Sequence, residues 1–296
     1  DGSSDGASYS PTVSGQLKYS SALAPTNTCT PVASNFYRCG GATHGGQGGI
    51  YSGSFGTPYG DYKNPLYPGA ASKPTYSIGG GAIKLTAAGS CSITASSSKI
   101  SANGINHAAG GSINLTCASF SSSNISSNAI TANGGAAADD GYGYGGGAGG
   151  GGGRIALIST GNQASFSGGL TYPTDSSSYS AFSALVKAIG GAPHIGAYAG
   201  GSGYGGAGTL YLKHSALSYG DLIIDNSSTT PNGNTGNTLF TSLAGSVSSV
   251  TSSSQLSLTN TSSSISGNTA FTFSSNHNGL FDGMRIRPNL AYTNSG

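Results

Sequence analysis

The sequence predicts an all-β protein: a parallel β-helix-like, glycine-rich solenoid with an additional C-terminal β region, or alternatively an antiparallel β-sandwich. Three observations support this class. A glycine cluster followed by a short alternating apolar segment recurs along the chain. Glycine supplies 52 of the 296 residues, and good helix formers are scarce, with no Glu and one Met. Long helices are therefore disfavoured, whereas stacked coils can bury a core that a single repeat cannot.

The internal repeat predicts a strand register. It occurs four times: GGGAIKLTA at 79–87, GGSINLTC at 110–117, GGGRIALIS at 151–159 and GAGTLYLKH at 206–214. The first two copies align Ile83 with Ile113 and Leu85 with Leu115. Alternation places the apolar residues of each strand on one face, which is expected to point into a stacked core.

The chain is expected to contain three regions: an extended N-terminal arm with a local disulfide (1–40), the repeat domain (41–219) and a Ser/Thr-rich β region (220–296). The arm lacks glycine clusters and carries five spaced apolar residues, Tyr9, Val13, Leu17, Tyr19 and Leu23. Such an arm must fold back or pair elsewhere, and strand addition to a neighbouring copy would bury it. One short helix is expected within 180–191, ending at Gly190.

The glycine run at 141–153 has two interpretations. It is either a flexible linker or an ordered packing in which the missing Cβ atoms let backbones approach closely. A similar run at 197–208 also directly precedes an apolar strand, which favours the ordered interpretation. Glycine runs and Asn-Gly pairs are also expected to supply the positive φ angles of tight turns.

The four cysteines include no CxxC pair, and the histidines are scattered, which disfavours a zinc site. Two local disulfides formed in an oxidising compartment are the favoured interpretation, Cys29 with Cys39 and Cys91 with Cys117. The other pairings and free buried thiols remain alternatives.

Four sequons, at Asn114, Asn124, Asn226 and Asn260, predict N-glycosylation. The sequence begins at Asp1, which suggests a processed protein whose signal peptide has been removed. With the cysteine pattern, these features favour a secreted or cell-surface glycoprotein.

The low content of charged residues disfavours nucleic acid as a partner. Only 7% of residues are charged and the net charge is +2, which is too little basic charge for a protein that neutralises nucleic-acid phosphates. No apolar run reaches the length of a membrane span. We therefore expect neither a nucleic-acid partner nor a membrane span.

No catalytic constellation is evident, so the sequence predicts no enzyme, cofactor or metal site. Asp139 and Asp140 lie beside a glycine run, and Asp221 and Asp225 lie four residues apart on one predicted strand. Isolated surface aspartates are the favoured interpretation over a carboxylate site of a β-helix polysaccharide-degrading enzyme. The 17 Tyr residues leave a carbohydrate-binding module as an alternative.

The order of motifs from HGGQGG (44–49) through GGGAIKL, ISANG, GGSINL, ITANGG, GGGGGRIAL and GTLYLK to YGDLIIDN resembles glycine-rich, adhesin-like surface proteins of microbes. The resemblance covers roughly residues 40 to 226 and implies extracellular display without a known reaction. The given sequence is shorter than those proteins, and we expect neither an anchor nor a long tandem array, so it also looks like the subunit of a glycosylated extracellular fibril.

The expected function is therefore a structural subunit of an extracellular filament or surface layer, assembling head to tail with copies of itself through the N-terminal arm. A surface adhesin that binds cell-surface or environmental glycans is the alternative.

Overall fold

The computed structural model describes residues 40–51, 55–72, 77–125, 127–137, 147–194, 201–218, 220–227 and 234–238, and the strands at 30–33, 36–38, 246–252, 255–259 and 285–287. The chain forms two compact units, 1–238 with 285–296 and 239–284. The region expected to begin at residue 220 is thus divided between the two units.

The first unit is built mainly from three strand triplets, each a run of three consecutive short strands. Their bounds are β3 (Ala82–Thr86), β4 (Ser90–Ile93) and β5 (Ile100–Ser101); β6 (Ser112–Cys117), β7 (Ser119–Ser122) and β8 (Ile130–Thr131); β9 (Arg154–Ser159), β10 (Phe166–Gly168) and β11 (Val186–Lys187). β12 (Thr209–Lys213), β13 (Asp221–Ile223) and β16 (Arg285–Arg287) follow, and β1 (Thr30–Ala33) pairs with β2 (Phe36–Arg38). The second unit contains the antiparallel pair β14 (Ser246–Ser252) and β15 (Gln255–Thr259).

Each triplet gives one strand to each of three sheets. The sheet orders are β16-β13-β12-β9-β6-β3, β10-β7-β4 and β11-β8-β5. Pairs between triplets are parallel, whereas β12 and β13 are antiparallel. The register predicted from the repeat is confirmed, because Ile83 lies beside Ile113 and Leu85 beside Leu115.

The predicted fold class is wrong. The structure is a mixed α/β arrangement of parallel sheets with one α-helix among the described residues, and the sheets do not close. Such sheets indicate neither an all-β solenoid nor a β-sandwich. The repeat predicts the parallel strand pairs, but it does not predict the helix between β10 and β11 or the antiparallel pairing of β12 with β13.

The helix also lies earlier than expected. α1 spans Ser176–Leu185, and its N-cap, Asp175, accepts a hydrogen bond from the backbone N–H of Ser178 in a capping box. The apolar spacing that continued to Ile189 belongs partly to β11, where Val186 pairs with Ile130. Tertiary pairing therefore ends the helix before Gly190.

The apolar core follows the strand columns. Ile113 and Ile155 lie in one column, and Leu115 and Leu157 lie in the next; all four are essentially inaccessible to solvent. Phe120 stacks on Phe166 at a centroid distance of 5.2 Å. Burying large apolar side chains in this way stabilises a fold by about 1.5–3 kcal/mol per side chain.

A second region, the glycine layer, consists of glycine- and alanine-rich segments at 41–49, 102–111, 132–135, 147–153, 188–191 and 203–208. Segment 147–153 donates backbone hydrogen bonds to several of the others: Gly149 to Gly203, Gly150 to Gly135, Gly151 to Ala42, Gly152 to Gly206 and Gly153 to Ala132. The acceptor segment recurs every three residues, since Gly149 and Gly152 donate to 203–208 and Gly150 and Gly153 donate to 132–135. A period of three residues per turn is that of the polyproline II helix.

Close approach explains the glycines of this layer. A Cβ atom on Gly151 would overlap the carbonyl oxygen of Gly46, and one on Gly153 would overlap that of Gly111. The ordered interpretation is thus confirmed for 147–153, and 141–146 lie outside the described residues. The expectation of positive φ is wrong for 147–153, because only Gly60, Gly168 and Gly201 adopt it among the described glycines. Of these three, Gly201 lies in the 197–208 run.

Candidate assembly interface

The three parallel sheets share an edge that no described strand covers. β3, β4 and β5 are the terminal strands of their sheets, and all three belong to the first triplet. We call the uncovered side of residues 82–101 the open edge. Because parallel strands of successive triplets lie in register, the place beyond the open edge has the geometry of one further triplet.

Exposure along one column marks this edge. Leu85, Leu115, Leu157 and Leu212 occupy equivalent positions in four neighbouring strands. Leu85 is 46% exposed, whereas the other three are at most 1% exposed. The same inward-facing side chain is thus covered in three strands and open in the first.

A cavity opens into the core at the same place. Its volume is about 290 Å³, and its lining joins first-triplet residues such as Leu85 and Ile100 to the deeper Leu115, Phe120 and Leu170. Well-packed interiors leave few voids larger than a water molecule. Among the described residues, no further layer of apolar side chains covers this part of the core.

The third triplet contrasts with the first. Phe166 and Val186, its inward residues on β10 and β11, are each 3% exposed. α1 contributes Phe182 and Leu185 to the same core. These inward side chains of the third triplet are thus covered, whereas Leu85 of the first is exposed. A second cavity, of about 480 Å³, nevertheless lies beside Phe166 and Tyr172.

A disulfide fastens the first triplet to the second. Cys91 on β4 is bonded to Cys117 on β6, with their Cα atoms 5.9 Å apart, which confirms this predicted pairing. Cys29 and Cys39, the other predicted pair, lie outside the described residues. The same holds for the arm residues Tyr9, Val13, Leu17, Tyr19 and Leu23.

The three described sequons differ in their surroundings. Asn124 is exposed with φ of +58°. Asn114 is 2% exposed, and its Nδ2 donates a 2.7 Å hydrogen bond to Oδ1 of Asn64. Nδ2 of Asn226 donates to the carbonyl oxygen of Gly205. Glycosylation at Asn124 fits the structure, because this side chain is exposed and its Nδ2 donates only a long, 3.4 Å hydrogen bond to the carbonyl oxygen of Thr94. A glycan on Asn114 or Asn226 would replace a shorter hydrogen bond inside the fold.

Asn260 lies outside the described residues, so its predicted glycosylation stays a prediction.

The predicted carboxylate candidates are held by tyrosines. Oδ2 of Asp221 accepts a hydrogen bond from the buried hydroxyl of Tyr172, and Oδ2 of Asp225 accepts one from Tyr179. Burial and this carboxylate raise the pKa of Tyr179. Asp139 and Asp140 lie outside the described residues.

Two further structural findings concern ligands and membranes. Within the described part of the chain, no group of three or more His, Cys, Asp or Glu side chains could hold a metal ion. The described residues likewise form no helix of the length and hydrophobicity that crossing a bilayer requires.

Sequence reasoning missed a buried polar cluster under the segment 59–67. Nε of Arg154 donates to the carbonyl oxygen of Tyr59, and its Nη1 donates to Oγ1 of Thr209. His44 is fully buried, with Nδ1 2.7 Å from the carbonyl oxygen of Gly110. Burial, followed by the charge of Arg154, lowers the pKa of His44 to about 3. Arg154 stands at a predicted strand start, but no local signal showed that a distant segment would cover it.

No protein-family model, curated protein or solved structure matches this chain.

Proposed function

We propose that the chain is a structural subunit of an extracellular glycosylated filament or surface layer, in which copies join head to tail through strand addition by the N-terminal arm. The single observation that carries the proposal is the open edge, where three sheets and the apolar core all end without cover among the described strands.

Edge chemistry supports self-association. An uncovered strand presents unpaired backbone donors and acceptors, which are a template for pairing with another chain. Here the template is accompanied by partly exposed apolar side chains, Ile83 and Leu85 on β3 and Ile100 on β5. Backbone pairing supplies affinity in strand addition, and pockets for alternate side chains supply specificity.

The charge of the open edge permits close association. Between residues 79 and 105 the charged residues are Lys84 and Lys99, both exposed. No acidic residue occurs in this range. Few charges need to be desolvated when a strand pairs here, and burying a charge without a partner is the costly step in an interface.

Electron microscopy and sedimentation of the purified full chain test the proposal. We expect filaments or sheets from the wild type and monomers from a variant lacking residues 1–25, with the circular dichroism spectrum of the remaining fold retained. Absence of any polymer from the wild-type protein across a concentration series would overturn the structural role. Normal filaments from the shortened chain would overturn the role of the arm.

A matched pair of substitutions tests the open edge itself. Leu85→Asp places a charge on the edge and is expected to abolish assembly. Leu66→Asp changes a leucine of similar exposure, 41% against 46%, in a segment that is not part of the first triplet, and is expected to assemble normally. Equal effects of the two substitutions would contradict an interface at the open edge.

A further inference from the structure

The arm contains a segment with the sequence pattern of the strands in the six-stranded sheet. GQLKYS at 15–20 matches GAIKLT at 81–86, GSINLT at 111–116, GRIALI at 153–158 and GTLYLK at 208–213 in having glycine first and apolar residues third and fifth. Its nearest match is the β3 segment, since both have Lys at the fourth position and Ser or Thr at the sixth.

Other occurrences of this pattern in the described chain also belong to the folded core. GGLTY at 168–172 places Leu170 and Tyr172 in the core, at most 2% exposed. GDLII at 220–224 contains strand β13 and is also buried, with Leu222 1% exposed, but here the fourth residue, Ile223, lies beside Leu210 in the core. Glycine followed by alternating apolar residues is therefore a mark of packed segments in this protein.

No described strand of this kind lies beyond the open edge. The parallel column of Ile83, Ile113, Ile155 and Leu210 ends at β3, and so does the column that contains Leu85. An added parallel strand would continue both columns if an apolar pair two residues apart faced the core. Leu17 and Tyr19 are such a pair, and the cavity beside Leu85 leaves space for a large side chain.

We propose that Gly15–Ser20 of a neighbouring copy adds to the open edge as a parallel strand, with Leu17 beside Ile83 and Tyr19 beside Leu85. This register rests on the proposed function, because an arm that covered its own edge would leave no edge for a second copy. It names the segment, orientation and pairing that strand addition uses.

The register has an electrostatic signature. It places Lys18 beside the exposed Lys84, and like charges on neighbouring strands repel each other. Lys18→Glu is therefore expected to lower the critical concentration for assembly by several fold. Lys18→Glu combined with Lys84→Glu should return it towards the wild-type value, because the two charges are again alike. Effects that simply add in the double variant would place Lys18 away from Lys84.

Cross-linking between two single variants tests the same pairing directly. Neighbouring strands lie about 4.8 Å apart, which is within the Cα separation that a disulfide spans. A mixture of full chains carrying Lys18→Cys or Lys84→Cys should form a disulfide between copies, mapped by mass spectrometry. The control mixture of Gln16→Cys with Lys84→Cys, two residues out of register, should give at least about tenfold less.

The outcomes separate this inference from the function on which it rests. Filaments that form without the preferred cross-link overturn the register and leave the filament role intact. In a chain that carries both Lys18→Cys and Lys84→Cys, a cross-link can also form within one molecule. If the cross-link forms only in that way, the arm covers its own edge, which overturns the inference. If neither filaments nor cross-links form, both proposals are overturned.

Discussion

The glycine layer and the apolar strand columns are held together in opposite ways. In the layer, segments such as 147–153 contact their neighbours through backbone hydrogen bonds, and every residue of that segment except Ala148 is a glycine. In the columns, parallel strands support stacked residues such as Leu115 and Leu157. A protein with few large apolar residues can thus be ordered where backbone bonding replaces side-chain packing, since buried backbone groups must be paired in either case.

The two regions should therefore fail for different reasons. Adding atoms should damage the glycine layer, because its backbones are already in contact. Removing atoms should damage the columns, because their stability comes from apolar burial. The open edge of the columns should tolerate both changes better than the interior does.

The largest effect is expected for Gly151→Ala. The new methyl group would overlap the carbonyl oxygen of Gly46, so backbone segments must move apart. We expect a loss of about 3 kcal/mol or more in the free energy of unfolding, measured by denaturant titration. Gly89→Ala is the matched control, because nothing lies within 4 Å of the added atom. A comparable loss in both variants would contradict close packing of the layer.

The next effect compares two leucines in one column. Leu157→Ala should cost about 2–5 kcal/mol, because it leaves a cavity in a covered part of the core. Leu85→Ala should cost the monomer about 1 kcal/mol, because nearly half of this side chain is already exposed. Denaturant titration under monomeric conditions measures both values, and a larger loss at Leu85 would show that the open edge is covered in the monomer.

A pH-dependent effect is expected at His44. Its pKa is about 3 in the folded protein and about 6.5 in an unfolded chain. Between these values the unfolded state binds more protons, so this residue's contribution is complete above about pH 6.5 and is lost as the pH falls towards 3. The slope is at most about 1.4 kcal/mol per pH unit.

The variant His44→Asn should flatten this acid slope when unfolding free energies are measured from pH 7 to pH 4. His194→Asn controls for removing a histidine and should retain the slope. An unchanged slope in His44→Asn would show that other groups account for acid destabilisation.

The smallest effect on stability is expected at Asn124. In a secretory host, Asn124→Gln should remove the mass of one glycan and change the free energy of unfolding by about 1 kcal/mol or less, because the side chain is exposed but its positive φ suits Asn better than Gln. Asn114→Gln should remove no glycan mass from the intact protein. It should lower the free energy of unfolding, since it disturbs the hydrogen bond to Asn64. Glycan loss in the Asn114 variant would contradict the burial of this side chain.

The sequence by itself determined the register of the first two repeat copies, because the spacing that aligns Ile83 with Ile113 reappears as the strand register. It favoured the Cys91–Cys117 disulfide but left the other pairings open. The ordered conformation of the 147–153 run was also predicted, because a similar glycine run precedes another apolar strand.

Only the tertiary structure decided the remaining features. Pairing of Val186 with Ile130 ended α1 early, and the segment 59–67 buried Arg154 and Asn114 across a long sequence separation. The role of glycine in the layer also depended on backbones far apart in the chain, so close approach rather than turn geometry was the constraint. The open edge was decided in the same way, because a strand pattern specifies what a strand can pair with but not which strand is left without a neighbour.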